Sequence, residues 1–251
     1  MNRLPLLALL LFVALPVRAQ SPEALFAEAD SEYIHQNYPR AIELYESIVH
    51  NGYVSGELFY NLANAYYRSG NIAHAVLNYE RARRLMPEDE DLRHNLQLAG
   101  AMITDRIEPT PRLFLWDWWD GLKTAFSLRT ITWTAYLFYL LFLGAVCLIL
   151  LGRRYLLRSI GLWTAGAAAA LLGLSLIVMY AKVSDVHRTD EAVIMQSVVT
   201  VKNSPDEKSS DAFVLHAGLR VNTIDRVGAW IKIHLADGKV GWVQDTSLEQ
   251  I

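Results

Sequence analysis

The stretch FYNLANAYYRSGNIAHAVLNYERA, Phe59 to Ala82, with Pro87 just beyond it, decides how this chain folds. Apolar and small residues return every three or four positions on both sides of Gly70, which is helical spacing. Gly70 supplies a left-handed residue to end the first helix, and Pro87 stops the second. Ala63 and Ala75 let the two antiparallel helices approach closely, while Tyr66 and Tyr79 fill the space between them. Thirty-four residues before Ala75 stands Ala41, and Ala29, Tyr38, Tyr45 and Ile48 repeat the pattern around it. A helix pair of fixed length therefore occurs twice, which is the mark of a stacked repeat array.

The positions of Leu62, Ala63, Tyr66, Gly70, Ala75, Tyr79, Ala82 and Pro87 resemble the tetratricopeptide pattern. The expectation is an α-helical tetratricopeptide-repeat solenoid over residues 20–108, with repeats at about 22–55 and 56–89 and a capping helix at 90–106. Glu88, Asp89, Glu90 and Asp91 open that last helix, where the macrodipole favours carboxylates; they are read as a helix start, not a cation site. The resemblance implies a concave face, lined by the first helix of each repeat, that binds peptides or partner helices. On it fall Asp30, Tyr33, Tyr60, Asn64, Tyr67 and Arg68, none of them needed for the repeat signature. Two readings of that face stand, a specific docking surface and a solvated groove. Asn61 and Asn64 are similar to the asparagines of clamp-type repeats, but the accompanying lysines are missing, so a chaperone-tail clamp is not expected.

Working outward, residues 109–130 are rich in tryptophan: Trp116 and Trp119 alternate with apolar neighbours and with Lys123, as in a helix lying at a lipid interface. Two apolar runs follow, 132–152 and 159–181, each long enough to cross a bilayer. Arg153, Arg154 and Arg158 sit in the link at 153–158, which the positive-inside rule assigns to the cytoplasm. No Asp, Glu, Lys or Arg lies within either run, which argues against an ion path. The recurrence of Gly161, Ala165, Ala169 and Gly173 suits close helix contact. At the amino terminus, Arg3, the apolar stretch Leu4 to Leu15 and the Val17-Arg18-Ala19 ending read as a secretory signal peptide over 1–19. Both signals place the soluble parts outside the cytoplasm, in a periplasm facing a bacterial inner membrane.

From residue 190 to 251 the pattern turns to short alternating strands with turn punctuation, among them Trp230 to Ile233 and Gly241 to Val243. Asp237-Gly238 is a favoured hairpin turn. The order resembles the bacterial SH3-like domain, so a small all-β barrel is expected, binding either protein or peptidoglycan. Trp230 and Trp242 are read as barrel core, with a ligand platform as the alternative.

Charge follows this division. Residues 20–110 carry 7 basic and 14 acidic side chains, 111–182 carry 7 and 2, and 183–251 carry 7 and 10. Basic charge thus gathers around the apolar runs, and two acidic soluble parts argue against nucleic acid as a partner. One cysteine, Cys147, excludes an intramolecular disulfide. Phosphate-loop, zinc-protease, nucleophile-elbow and dinucleotide motifs are all missing, so no catalytic residue, metal or cofactor is nominated. The whole order of parts resembles the BatE family of the bacterial aerotolerance operon. That resemblance implies membrane partners with von Willebrand A-type domains, an indirect link to a MoxR-class ATPase, and a role in envelope stress.

Overall fold

The computed structural model describes residues 21–108, 110–186 and 190–251; the expected signal peptide lies outside them. Of these, the residues up to Tyr53 form one compact unit and those from Val54 on a second.

The first unit is a helix pair, α1 (Pro22–Ile34) and α2 (Tyr38–His50). Ser21 caps α1 by accepting the Ala24 N–H. The turn between the helices puts Gln36 at φ +62°, with the Gln36 N–H donating to Tyr33 O and the Asn37 N–H to Glu32 O. Ala29, Ala41, Leu44, Tyr45 and Ile48 are buried.

The second unit begins with the same motif, α3 (Gly56–Arg68) and α4 (Ile72–Leu85), followed by α5 (Glu90–Ala101). Ser55, Asn71 and Asp89 cap the three helices through their side chains. Asp89 at the cap with Glu90 and Asp91 in the first turn accounts for the acidic run as a helix start. At the end of α3, Gly70 has φ +84°. Its N–H donates to Tyr67 O and the Asn71 N–H to Tyr66 O, the paired closure that favours glycine at this position. Gln36 makes the same closure without a glycine.

Next come α6 (Phe114–Ala125), α7 (Leu128–Leu151) and α8 (Tyr155–Val186). At 1.5 Å per residue α7 is about 36 Å long, enough for a hydrocarbon core of about 30 Å. Leu128–Leu151 and Tyr155–Ser184 are both apolar enough to cross a membrane, and only 11% and 17% of their most apolar windows are buried. That separates them from the core helices of a soluble protein. They pack as a hairpin: a Cβ on Gly161 would meet Ile149 and the carbonyl of Ala145 at 3.0 Å, and Ala165 and Ala168 are buried beside it. A Cβ on Gly173 would meet nothing within 4 Å and Ala169 is exposed, so the later half of the small-residue stripe is not in the helix contact.

Seven strands close the chain: β1 (Glu191–Ile194), β2 (Val198–Lys202), β3 (Asp211–His216), β4 (Arg220–Val227), β5 (Trp230–His234), β6 (Val240–Gln244) and β7 (Leu248–Gln250). They form one antiparallel sheet in the order β3-β2-β6-β5-β4-β1-β7. The sheet is open, with β3 and β7 at its edges, so the expected SH3-like barrel is not confirmed. It is nevertheless strongly curved. Strands β1 and β2 stand four places apart, about 19 Å in a flat sheet. The chain from Ile194 to Val198 spans at most about 14 Å. The sheet must bend to bring these ends together, and Ile194 accordingly exchanges backbone hydrogen bonds with the β3–β4 connection, through Gly218 N–H and Leu219 O. Inside the curve lies one core that includes Ile194, Val201, Leu215, Ile233 and Val243.

The segment between α5 and α6 belongs to that core. Ile107 packs against it, Asp105 accepts the His216 N–H at 2.6 Å and meets His216 Nδ1 at 2.7 Å, and the Thr110 N–H donates to Ala236 O. Asp105, Ile107 and Thr110 thus strap this segment to the sheet. Helix α4 packs beside β1 and β7 through Arg81, Arg83 and Arg84. The helical hairpin is therefore an insertion: the chain leaves at the strap, runs through α6, α7 and α8, and returns at β1.

Candidate partner-binding face of the repeats

Residues 60, 64, 67 and 68 share one face of α3, because an α-helix turns once in 3.6 residues. The opposite face, with Leu58, Leu62, Ala65 and Tyr66, is buried. Tyr60, Asn64 and Tyr67 are half-buried and Arg68 is exposed in the last turn, where a cation suits the macrodipole.

Asn64 is the centre of a polar network. Its Oδ1 accepts from the Tyr79 hydroxyl at 2.6 Å and from Asn95 Nδ2 at 3.1 Å, and Asn95 Nδ2 also donates to the Tyr60 hydroxyl at 2.9 Å. The rings of Tyr60 and Tyr79 lie 6.1 Å apart and tilted. With Oδ1 holding two donors, the amide N–H groups of Asn64 donate to none of the described residues. They are the groups a carbonyl oxygen of a bound chain would meet.

In the first unit the Tyr45 hydroxyl donates to Asp30 Oδ1. Asp30 and Tyr45 lie 34 residues before Asn64 and Tyr79, so each repeat ties its second helix to its first by a tyrosine hydroxyl on the same polar position. Asp30 and Asn64, which the repeat signature does not require, thus each fasten a helix pair. Tyr33 is half-buried, its ring edge-on to Tyr38 at 5.5 Å.

Asn95 was not among the expected residues, although it anchors Asn64 and Tyr60 from α5. The only sign of it in the sequence is that Asn95 stands 34 residues after Asn61, which puts α5 in the register of a third repeat's first helix.

The two tryptophans of the sheet are not in its core. Ile231, Ile233 and Val243 face inward, and strand alternation turns Trp230, Lys232 and Trp242 to the other face, where both indoles are half-buried. Trp242 pairs with Lys232 across β5 and β6, and the Lys232 ammonium lies 5.8 Å from the Trp242 ring centre, a cation–π contact. The core is filled instead by branched aliphatic residues from all seven strands.

On α6, Phe114, Leu115, Trp116 and Trp118 are exposed, while Arg112 and Lys123 both pair with Asp120. The hydrogen bond from Lys123, aided by Arg112, holds the Asp120 carboxyl below its ordinary range. Among the described residues no cluster of histidine, cysteine and carboxylate side chains could hold a metal ion.

Comparison with known proteins agrees with the geometry. A comparison with curated proteins finds no match. Residues 56–89 match the tetratricopeptide repeat family model, and a tetratricopeptide repeat is a protein-interaction element, not a catalytic one.

Proposed function

We propose that this chain is a membrane-anchored scaffold of the BatE type, whose repeats grip an extended segment of a protein partner. The observation that carries the reading is Asn64, fixed from two sides by Tyr79 and Asn95, with its amide donors left for an incoming chain. A side chain held this way loses little freedom on binding, which favours affinity. Tyr60, Tyr67 and Arg68 beside it are of the types that dominate interface energetics, and Asp30 and Tyr33 occupy the corresponding helix of the first repeat. Helices α7 and α8 anchor the body in a bacterial inner membrane, with the link at Arg153 and Arg154 in the cytoplasm and the soluble parts in the periplasm. The exposed aromatic face of α6 lies along the lipid interface. On this reading the partners are membrane proteins with von Willebrand A-type domains, connected indirectly to a MoxR-class ATPase in an envelope-stress or aerotolerance complex.

A second reading is favoured by the outward tryptophans. Here the SH3-like sheet binds peptidoglycan through Trp230 and Trp242 and the chain is a cell-wall receptor. A photo-crosslinking residue at Tyr67 in the native membrane separates the two. The scaffold reading predicts a protein adduct that disappears in the Asn64→Ala, Arg68→Ala variant. Absence of any adduct, with normal insertion and with the protein retained on wall sacculi, transfers the function to the sheet.

A further inference from the structure

The two ends of the helical hairpin differ in how their charges are balanced. Where α7 begins and α8 ends, Arg112, Lys123 and Lys182 each pair with a carboxylate; Arg129 is exposed and pairs with none among the described residues. At the turn between the helices the charge has one sign. Arg153 and Arg154 precede α8 and Arg158 lies in its first turn, all three exposed. The nearest acidic residues in the sequence are Asp120, before α7 begins, and Asp185, near the far end of α8, about a helix length away. Among the described residues none of the three guanidiniums pairs with a carboxylate. Helix stability does not account for them either, since the macrodipole disfavours cations at an amino terminus.

Sidedness asks only for positive charge in the link; Arg158 has a fixed geometry as well. Its Nε donates to Gly152 O at 2.8 Å, and Gly152 is buried where a Cβ would strike the Leu148 carbonyl and the Leu157 side chain. Both Nη groups are left without a partner among the described residues, as the fork that meets two oxygens of a phosphate. Arg158 stands in the first turn of the apolar helix Tyr155–Ser184, within about 5 Å of its end, and Leu151, Tyr155 and Leu156 beside the link are exposed. A cation at that depth meets its counter-ion in the headgroup layer. We infer that Arg153, Arg154 and Arg158 form a binding site for an anionic phospholipid, Arg158 holding the phosphodiester oxygens while the other two add attraction for its charge. The inference rests on the reading of α7 and α8 as membrane spans.

The test uses the full chain purified in detergent. Native mass spectrometry counts bound lipid as phosphatidylglycerol or phosphatidylcholine is added, and carbonate extraction of bacterial membranes reports insertion separately. We expect phosphatidylglycerol to bind at least about tenfold more tightly than phosphatidylcholine, with the preference falling about fivefold in Arg158→Gln and vanishing when Arg153, Arg154 and Arg158 are all changed to Gln. Arg158→Lys, which keeps the charge and loses the fork, falls between the parent and Arg158→Gln. Arg129→Gln, which removes an equal charge from the other end, leaves the preference unchanged. The inference is overturned if the parent binds the two lipids alike, if the triple change keeps the preference, if Arg158→Lys binds as tightly as the parent, or if Arg129→Gln loses as much as Arg158→Gln. Displacement of the lipid by excess inorganic phosphate would also overturn it, by marking a site for a free anion. Resistance to carbonate without a lipid preference sinks this inference alone; extraction by carbonate sinks the membrane anchor with it.

Discussion

Gln36 holds a left-handed backbone conformation that costs a non-glycine residue about 1–2 kcal/mol, in the turn where the second repeat uses Gly70. Gln36→Gly is expected to stabilise the first helix pair by up to about 1 kcal/mol, net of the greater freedom glycine gives the unfolded chain. Amide exchange in α1 and α2 would slow by up to about fivefold; faster exchange would show that the Gln36 side chain stabilises the turn. At Tyr79 the expectation has the other sign. Its ring is buried and its hydroxyl donates to Asn64, so Tyr79→Phe costs about 1 kcal/mol and loosens the one side chain positioned for a partner. Thermal unfolding reads the first effect and partner recovery the second, and both are expected to fall. The residues that form the helix pair were legible in sequence because small, aromatic and glycine positions recur at 34. Asn95 shows in sequence only as the 34-residue echo of Asn61; its hydrogen bonds to Asn64 and Tyr60 join helices and leave no pattern of their own.

Among the elements, the strap shows most clearly where local reading stops. The sequence reading carries the capping helix on to residue 106, whereas α5 ends at Ala101, and nothing in residues 103–108 states that Ile107 packs into a sheet that begins some eighty residues later. Ile107→Ala removes apolar volume from a partly buried site, and a loss of about 1–2 kcal/mol is expected in the sheet, not in the helices. It appears as faster amide exchange in β2 and β3 with α3 and α4 unchanged; no change in the sheet would reduce the strap to a tether. The sheet itself was legible as alternating strands with a turn at Asp237-Gly238, and its curvature follows from the short β1–β2 connection. Its open edges and the outward tryptophans were not legible, because alternation assigns two faces without saying which one is filled. The filled face is the one to which all seven strands bring branched aliphatic residues.

At the scale of the molecule, the second unit is one body interrupted by a helical hairpin. Lys182 near the end of α8 donates to Phe126 O at 2.6 Å and pairs with Glu88 at 3.4 Å, so the return of the hairpin is fastened to the repeat and to the end of α6. Together with the strap and the α4 contacts, this requires the repeat and the sheet to stand on the same side of any bilayer that α7 and α8 cross, a requirement separate from the positive-inside rule. Cysteine labelling of the full chain in bacterial cells with a membrane-impermeant maleimide tests it most directly, using Glu57→Cys, Asp225→Cys and Arg153→Cys one at a time in the Cys147→Ser background. The account predicts that positions 57 and 225 label in intact spheroplasts and that position 153 labels only after lysis. Labelling of 57 and 225 from opposite sides, or of all three from the same side, would contradict it.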